Sequence, residues 1–107
     1  MSVSSVLSVA VSGLNASAQR FSVDANNIVN ANSDGYQALR ANPVSQTAGS
    51  GAGASPGGVR NVITQGGTVD LAHEIVDSIF ARISYSANAQ VIRTADQTLG
   101  QLLDIRA

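Results

Sequence analysis

The residues of this chain that could do catalytic chemistry are few and lie far apart. His73 is the single histidine, and Ser84, Ser86 and Thr94 follow it by roughly a dozen positions or more. A hydroxyl nucleophile needs a base within hydrogen-bonding reach, usually with a third group that orients the base. The chain also lacks the G-x-S-x-G turn that exposes a nucleophilic serine. We therefore expect no catalytic residue and no enzyme activity.

Acidic residues in the C-terminal third do not pair in a way that favours acid/base or metal chemistry. A lone histidine near the start of an exposed helix is usually solvated, and the chain contains no cysteine. The pattern predicts no metal site and a charged surface that faces solvent or a partner. The residues that alternate along this surface are Asp70, Asp77, Arg82, Arg93, Asp96, Asp104 and Arg106.

Two further features could bind a small molecule, and neither favours one. The glycine-rich stretch GSGAGASPGG lacks both G-x-G-x-x-G and G-K-[ST], the patterns that present backbone amides to phosphate. Tyr36 and Tyr85 could stack on a ligand, but their positions, after a glycine and on a helical stripe, favour packing. We expect no cofactor and no small-molecule ligand.

Composition argues against nucleic acid and membrane partners. The net charge is -1, from six arginines against seven acidic residues, so the chain has no basic surface for phosphate or anionic lipid. No apolar run approaches the roughly 18 residues of a membrane span. No positive residue precedes the apolar stretch 3–14, so a cleaved signal peptide is not expected.

Apolar residues recur at helical spacing in the N-terminal third. Leu7, Leu14, Phe21 and Ile28 stand seven positions apart, with serine and alanine between them. A narrow stripe with small flanking residues favours close packing against another helix. We predict a helix within residues 1–40.

The C-terminal third repeats this pattern, apart from one longer step before Tyr85. Ile75, Ile79, Ile92 and Leu99 form its main stripe. Between the two thirds, residues 41–68 are rich in glycine and read as a flexible linker, with one short strand possible at VRNVIT. The expected fold is therefore all-α: one domain in which helices within 1–40 and 69–107 pair as an antiparallel, coiled-coil-like hairpin with facing stripes.

The end of the first helix is unusual, because the stretch ANNIVNANSDGY carries four asparagines. Asparagine competes with the backbone for hydrogen bonds and disfavours helix interiors. We expect Gly35 to adopt a left-handed conformation and Tyr36 to fold back over the last turn. We further hypothesise that Asn26, Asn27 and Asn30 bond to neighbouring copies without burying a charge.

Both ends of the chain resemble one protein family. The segment SGLNASAQRFSVDANNIVNANSDGYQALR resembles the N-terminal signature of bacterial flagellar basal-body rod and hook proteins, and VDLAHEIVDSIFARISYSANAQVIRTADQTLGQLLDIR resembles their terminal helix. The matching N-terminal positions are Ser12, Gly13, Leu14, Ala16, Ala25, Asn26, Asn27, Ile28, Asn30, Asn32, Gly35 and Tyr36. The matching C-terminal positions are Val69, Asp70, Leu71, Glu74, Val76, Ile79, Tyr85, Ala87, Asn88, Ala89, Thr94, Asp96, Leu99, Leu102 and Leu103.

The resemblance implies a structural subunit whose paired helices pack side by side in an axial tube. It also implies self-assembly or co-assembly with other rod and hook subunits, export through the flagellar type III apparatus without a signal peptide, and a location in the basal body. An alternative is a soluble adaptor or export accessory that binds such subunits without polymerising. The predicted assembly residues are Leu7, Leu14, Phe21, Asn26, Asn27, Ile28, Gly35, Tyr36, Ile75, Ile79, Tyr85, Asn88, Ile92, Leu99 and Leu102.

Overall fold

The computed structural model describes residues 2–106, and within them the chain forms two long helices and a two-stranded sheet. In chain order these are α1 (Val3–Val29), β1 (Leu39–Gln46), β2 (Gly58–Gln65) and α2 (Leu71–Arg106). The molecule is elongated, with extents of 63 × 29 × 13 Å.

Local capping explains where the helices begin. Ser2 and Ser5 form a reciprocal capping box, in which the Ser5 backbone N–H donates to the Ser2 hydroxyl at 3.2 Å. Asp70 caps α2 by accepting from the backbone N–H of His73 at 3.3 Å. Both starts agree with the helical patterns in the sequence.

Helices α1 and α2 run antiparallel and meet through small side chains. Ala10 and Ser17 are buried on α1, and Ala81 is buried on α2. Gly13 lies directly against Asn88, because a Cβ atom at Gly13 would stand 2.6 Å from the Asn88 Oδ1 atom. Small residues at these positions let the two helix axes approach closely.

The all-α prediction is wrong, because β1 and β2 form an antiparallel sheet where a flexible linker was expected. The register runs from Leu39 opposite Gln65 to Gln46 opposite Gly58. Strand β1, LRANPVSQ, has one β-branched residue and a proline, so its own propensity for strand is weak. Pro43 is tolerated because a two-stranded sheet consists of edges.

Hydrogen bonds to α1 stabilise the sheet, which the strand sequences favour only weakly by themselves. The Ser12 hydroxyl accepts from the Val59 backbone N–H at 3.1 Å, and the Asn61 side-chain amide donates to the Ala16 carbonyl at 2.7 Å. Because these partners are about 45 residues away in the chain, no local pattern reveals them.

The prediction that the two apolar stripes face each other is wrong for Ile75 and Ile79, which form half of the α2 stripe. Ile75 and Ile79 are 46% and 49% exposed, whereas Glu74 and Ala81 are buried on the side that meets α1. At about 100° per residue, the 17 positions from Ile75 to Ile92 leave these two side chains roughly 100° apart around the helix. They therefore cannot share one narrow face.

Candidate functional site

The most specific site in the molecule is a buried polar junction centred on Asn27, near the end of α1. Asn27 has no exposed surface. Its amide nitrogen donates to the Leu39 carbonyl at 2.8 Å and to Glu74 Oε2 at 2.9 Å. Its amide oxygen accepts from the Leu39 backbone N–H at 2.8 Å and from the Tyr36 hydroxyl at 2.9 Å. All four hydrogen-bonding positions of the side chain are thus occupied.

The two bonds to Leu39 make the Asn27 side chain act as a strand partner for the first residue of β1. The chain reaches this position through a turn after α1, in which Gly35 has φ +72°. This is the left-handed conformation that glycine adopts without a steric cost. Tyr36 then folds back onto Asn27, as the sequence predicted. Asn27, Gly35 and Tyr36 therefore form one corner, at which the chain passes from α1 to β1.

Glu74 brings α2 into the same junction. Its side chain is fully buried, with Oε2 bonded to Asn27 and Oε1 bonded to the Arg40 guanidinium at 2.9 Å. A buried carboxylate is tolerated when charged and neutral donors satisfy its oxygens. The junction therefore ties the end of α1, the start of β1 and the start of α2 to one another.

Asp24, one helical turn before Asn27, is a buried carboxyl group whose hydrogen bonds are incomplete. It is 7% exposed, and its Oδ2 atom has no hydrogen-bond partner among the described residues. Burial raises the pKa of Asp24 from 3.8 to about 6; the charges of Glu74 and Asp77 and a hydrogen bond to Glu74 add to this rise, and Arg20 opposes it.

The predicted assembly residues fall into buried, half-buried and exposed groups. Asn27 is buried, and Asn26 next to it is exposed. Phe21 and Tyr85, 43% and 47% exposed, line a surface cavity of about 340 Å³ beside Ala81. Gly35 and Leu102 are exposed, and the remaining half-buried residues are Leu7, Leu14, Ile28, Tyr36, Asn88, Ile92 and Leu99.

Sequence reasoning missed three residues of the junction: Asp24, Arg40 and Glu74. Glu74 stands among the family-matching positions but not among the predicted assembly residues. The available signal was its position, since Glu74, Ala81 and Asn88 stand seven apart and thus share a helix face. An acidic residue on that otherwise small face indicates a buried partner.

The junction stabilises the fold, since its donors and acceptors, apart from Asp24 Oδ2, already bond to one another. His73 contacts Asp77 at 3.2 Å one turn along an exposed part of α2. In the part of the chain that the structure describes, no group of three histidine or acidic side chains could hold a metal ion. Across residues 2–106, neither helix combines the length and apolar content that a membrane crossing needs.

Comparisons with known proteins match the same two regions that form the helix pair. Residues 7–37 match the family described as flagella basal body rod protein. Residues 65–105 match the C-terminal region of the flagellar basal body rod FlgEFG proteins. Together the two matches cover about two thirds of the chain.

Individual relatives include flagellar hook proteins. Over 60 residues the chain is 42% identical to the flagellar hook protein FlgE of Salmonella typhimurium and 40% identical to that of Escherichia coli (strain K12). The aligned region makes up 56% of this chain and 14% of each hook protein. With both terminal regions matched, the chain belongs to the flagellar basal-body rod and hook protein family.

Proposed function

We propose that this chain is a structural subunit of a flagellar axial structure of the rod or hook type. It assembles with copies of itself or with related subunits by lateral packing of α1 and α2. The family matches support this proposal, since the two matched regions become one antiparallel helix pair. Export by the flagellar apparatus and a location in the basal body or hook belong to the same proposal.

The observation that carries the proposal is the apolar surface that α2 leaves uncovered. In its first half, six apolar side chains are 46–59% exposed on the sides of the helix that do not meet α1. Their spacings of one, three and four positions keep them on a continuous surface. This surface, the outer face of α2, consists of Leu71, Ile75, Val76, Ile79, Phe80 and Ile83.

The amount of exposed surface also favours assembly. A compact monomer of 10.9 kDa exposes about 5,600 Å², whereas this chain exposes 7221 Å². The excess of about 1,600 Å² equals what one subunit buries in roughly two protein interfaces of ordinary size. Lateral neighbours on two sides would bring the exposed area to the value of a compact protein.

The amides at the end of α1 divide between two roles in this proposal. Asn27 uses all of its hydrogen bonds inside the chain, and it holds the helix pair in the shape that assembles. Asn26 is exposed, so its amide can bond to the backbone of a neighbouring subunit. We assign the contact between subunits to Asn26 and the internal contact to Asn27.

The outer face of α2 can be tested with a matched pair of variants. Ile79→Asp places a charge on the apolar face, and Gln97→Asp places the same charge at an exposed polar position of the same helix. We expect Ile79→Asp to abolish concentration-dependent growth in sedimentation velocity while helicity by circular dichroism is kept. Gln97→Asp should assemble like the wild type.

Two outcomes would change the proposal. If Ile79→Asp assembles at the same concentration as the wild type, the outer face of α2 is not the contact surface. If the wild type forms only a small, stable complex with rod or hook subunits and never grows alone or in the mixture, an adaptor role replaces the structural one.

A further inference from the structure

Asp24 and Glu74 bring two carboxyl groups together inside the molecule, one from α1 and one from α2. They are 7% and 0% exposed, and Asp24 stands one helical turn before Asn27, whose amide bonds to Glu74 Oε2. Two adjacent carboxyl groups in a buried site are not both ionised without a large cost. The charges around them must therefore decide which group carries a proton.

The surroundings of Glu74 leave the proton to Asp24. Both oxygens of Glu74 already accept hydrogen bonds, one from Asn27 and one from the Arg40 guanidinium. Asp24 Oδ2, by contrast, has no partner among the described residues and less than 1 Å² of accessible surface. An oxygen atom with almost no accessible surface can still bind a proton.

The remaining charged groups near Asp24 come from each element that packs around it. Arg20 lies one turn earlier on α1, Arg40 lies on β1, and His73 and Asp77 lie on α2. These residues line a surface cavity of about 300 Å³ together with Asp24. Arg40 is paired with Glu74, and His73 contacts Asp77. Arg20 is the cation whose charge lowers the pKa of Asp24.

We propose that Asp24 and Glu74 form a buried proton-binding site that makes the docking of α2 onto α1 depend on pH. The proton comes from solvent and binds to an Asp24 oxygen, so that the pair carries one negative charge rather than two. When it leaves, two negative charges face each other across the helix interface, and the interface weakens. This site acts within a single chain and does not depend on the proposed assembly.

The direction of the effect follows from the raised pKa of Asp24. The folded chain holds this proton up to about pH 6, whereas the unfolded chain loses it near the ordinary value of 3.8. The stabilisation is therefore complete at low pH and is lost as the pH rises through about 6. Between about pH 4.5 and about pH 7.5, the unfolding equilibrium constant should rise about ten- to thirtyfold through this group.

The test compares the wild type with Asp24→Asn, which mimics the protonated carboxyl group at every pH. Denaturant unfolding of the full chain is followed by circular dichroism at about pH 4.5, 6 and 7.5. We expect Asp24→Asn to be more stable than the wild type at the highest pH and to lose most of the pH dependence. Asp34→Asn, at an exposed turn position, should keep the wild-type dependence.

A direct titration keeps the proposal falsifiable if Asp24→Asn does not fold. The carboxyl carbon signal of Asp24 in the wild-type chain is followed by nuclear magnetic resonance across the same range. A midpoint near 6 supports the site. A midpoint near 3.8, or an Asp24→Asn variant with the wild-type pH dependence, overturns it.

Discussion

Replacing Asn27 with alanine should disrupt the molecule more than any other single change at the end of α1. The substitution removes four hydrogen bonds at once. It leaves Glu74 Oε2 buried without its neutral donor, and it releases the N–H and C=O groups of Leu39. Each buried polar group left without a partner costs about 1–3 kcal/mol.

The expected magnitude follows from how many of these groups can reach water. Leu39 and Tyr36 are partly exposed, so relaxation of the corner rehydrates some of their groups. Glu74 is fully buried; its Oε1 atom keeps the Arg40 guanidinium, whereas its Oε2 atom loses the amide donor. We therefore expect a loss of about 3–5 kcal/mol, near the cost of breaking a buried charged network. Against a total of about 5–15 kcal/mol for a chain of this size, that is a large fraction.

The neighbouring asparagine provides the matched control. Asn26→Ala makes the same chemical change one residue earlier at an exposed position, where alanine favours the helix. Its free energy of unfolding should stay within about 0.5 kcal/mol of the wild type. Both are measured by urea unfolding followed by circular dichroism. An Asn27→Ala cost below about 1 kcal/mol, or equal to that of Asn26→Ala, would refute the junction as the element that holds the corner.

Other substitutions test the helix contact and the sheet contact separately. Gly13→Ala should lower the free energy of unfolding by about 1–3 kcal/mol, because the added Cβ meets Asn88 at 2.6 Å. Gly100→Ala, where a Cβ meets nothing within 4 Å, should instead stabilise α2 by about 1 kcal/mol; equal effects in thermal melts would contradict the close helix contact. Asn61→Ala should reduce amide hydrogen-exchange protection in β1 and β2 without changing α2, because the bond to the Ala16 carbonyl is lost. Asn42→Ala, which loses only bonds within the sheet, should have the smaller effect, and the reverse order would argue against docking of the sheet through Asn61.

The features predicted correctly from sequence are those set by local chemistry. Gly35 is left-handed because the turn at that position requires a positive φ. Tyr36 folds back because it follows that turn directly. Each depends on residues that are near one another in the chain.

The features missed from sequence depend on partners that are remote in the chain. Strand β1 has weak strand propensity, and it is held by Asn27 and by pairing with β2. Glu74 is buried because Arg40 and Asn27 meet it from two other elements, an arrangement no local pattern contains. The stripe through Ile75 and Ile79 is predicted to lie on the inner face because apolar residues usually lie inside. On α2 the inner face is occupied by Glu74, Ala81 and Asn88 instead.

Sedimentation velocity of the full wild-type chain over a wide concentration series tests the central claim most directly. A structural subunit with an uncovered apolar face on α2 should pass reversibly from a 10.9 kDa monomer to species that keep growing as concentration rises. Added rod or hook subunits should lower the concentration at which growth begins. A single monomeric species at every concentration, alone and in the mixture, would contradict the account.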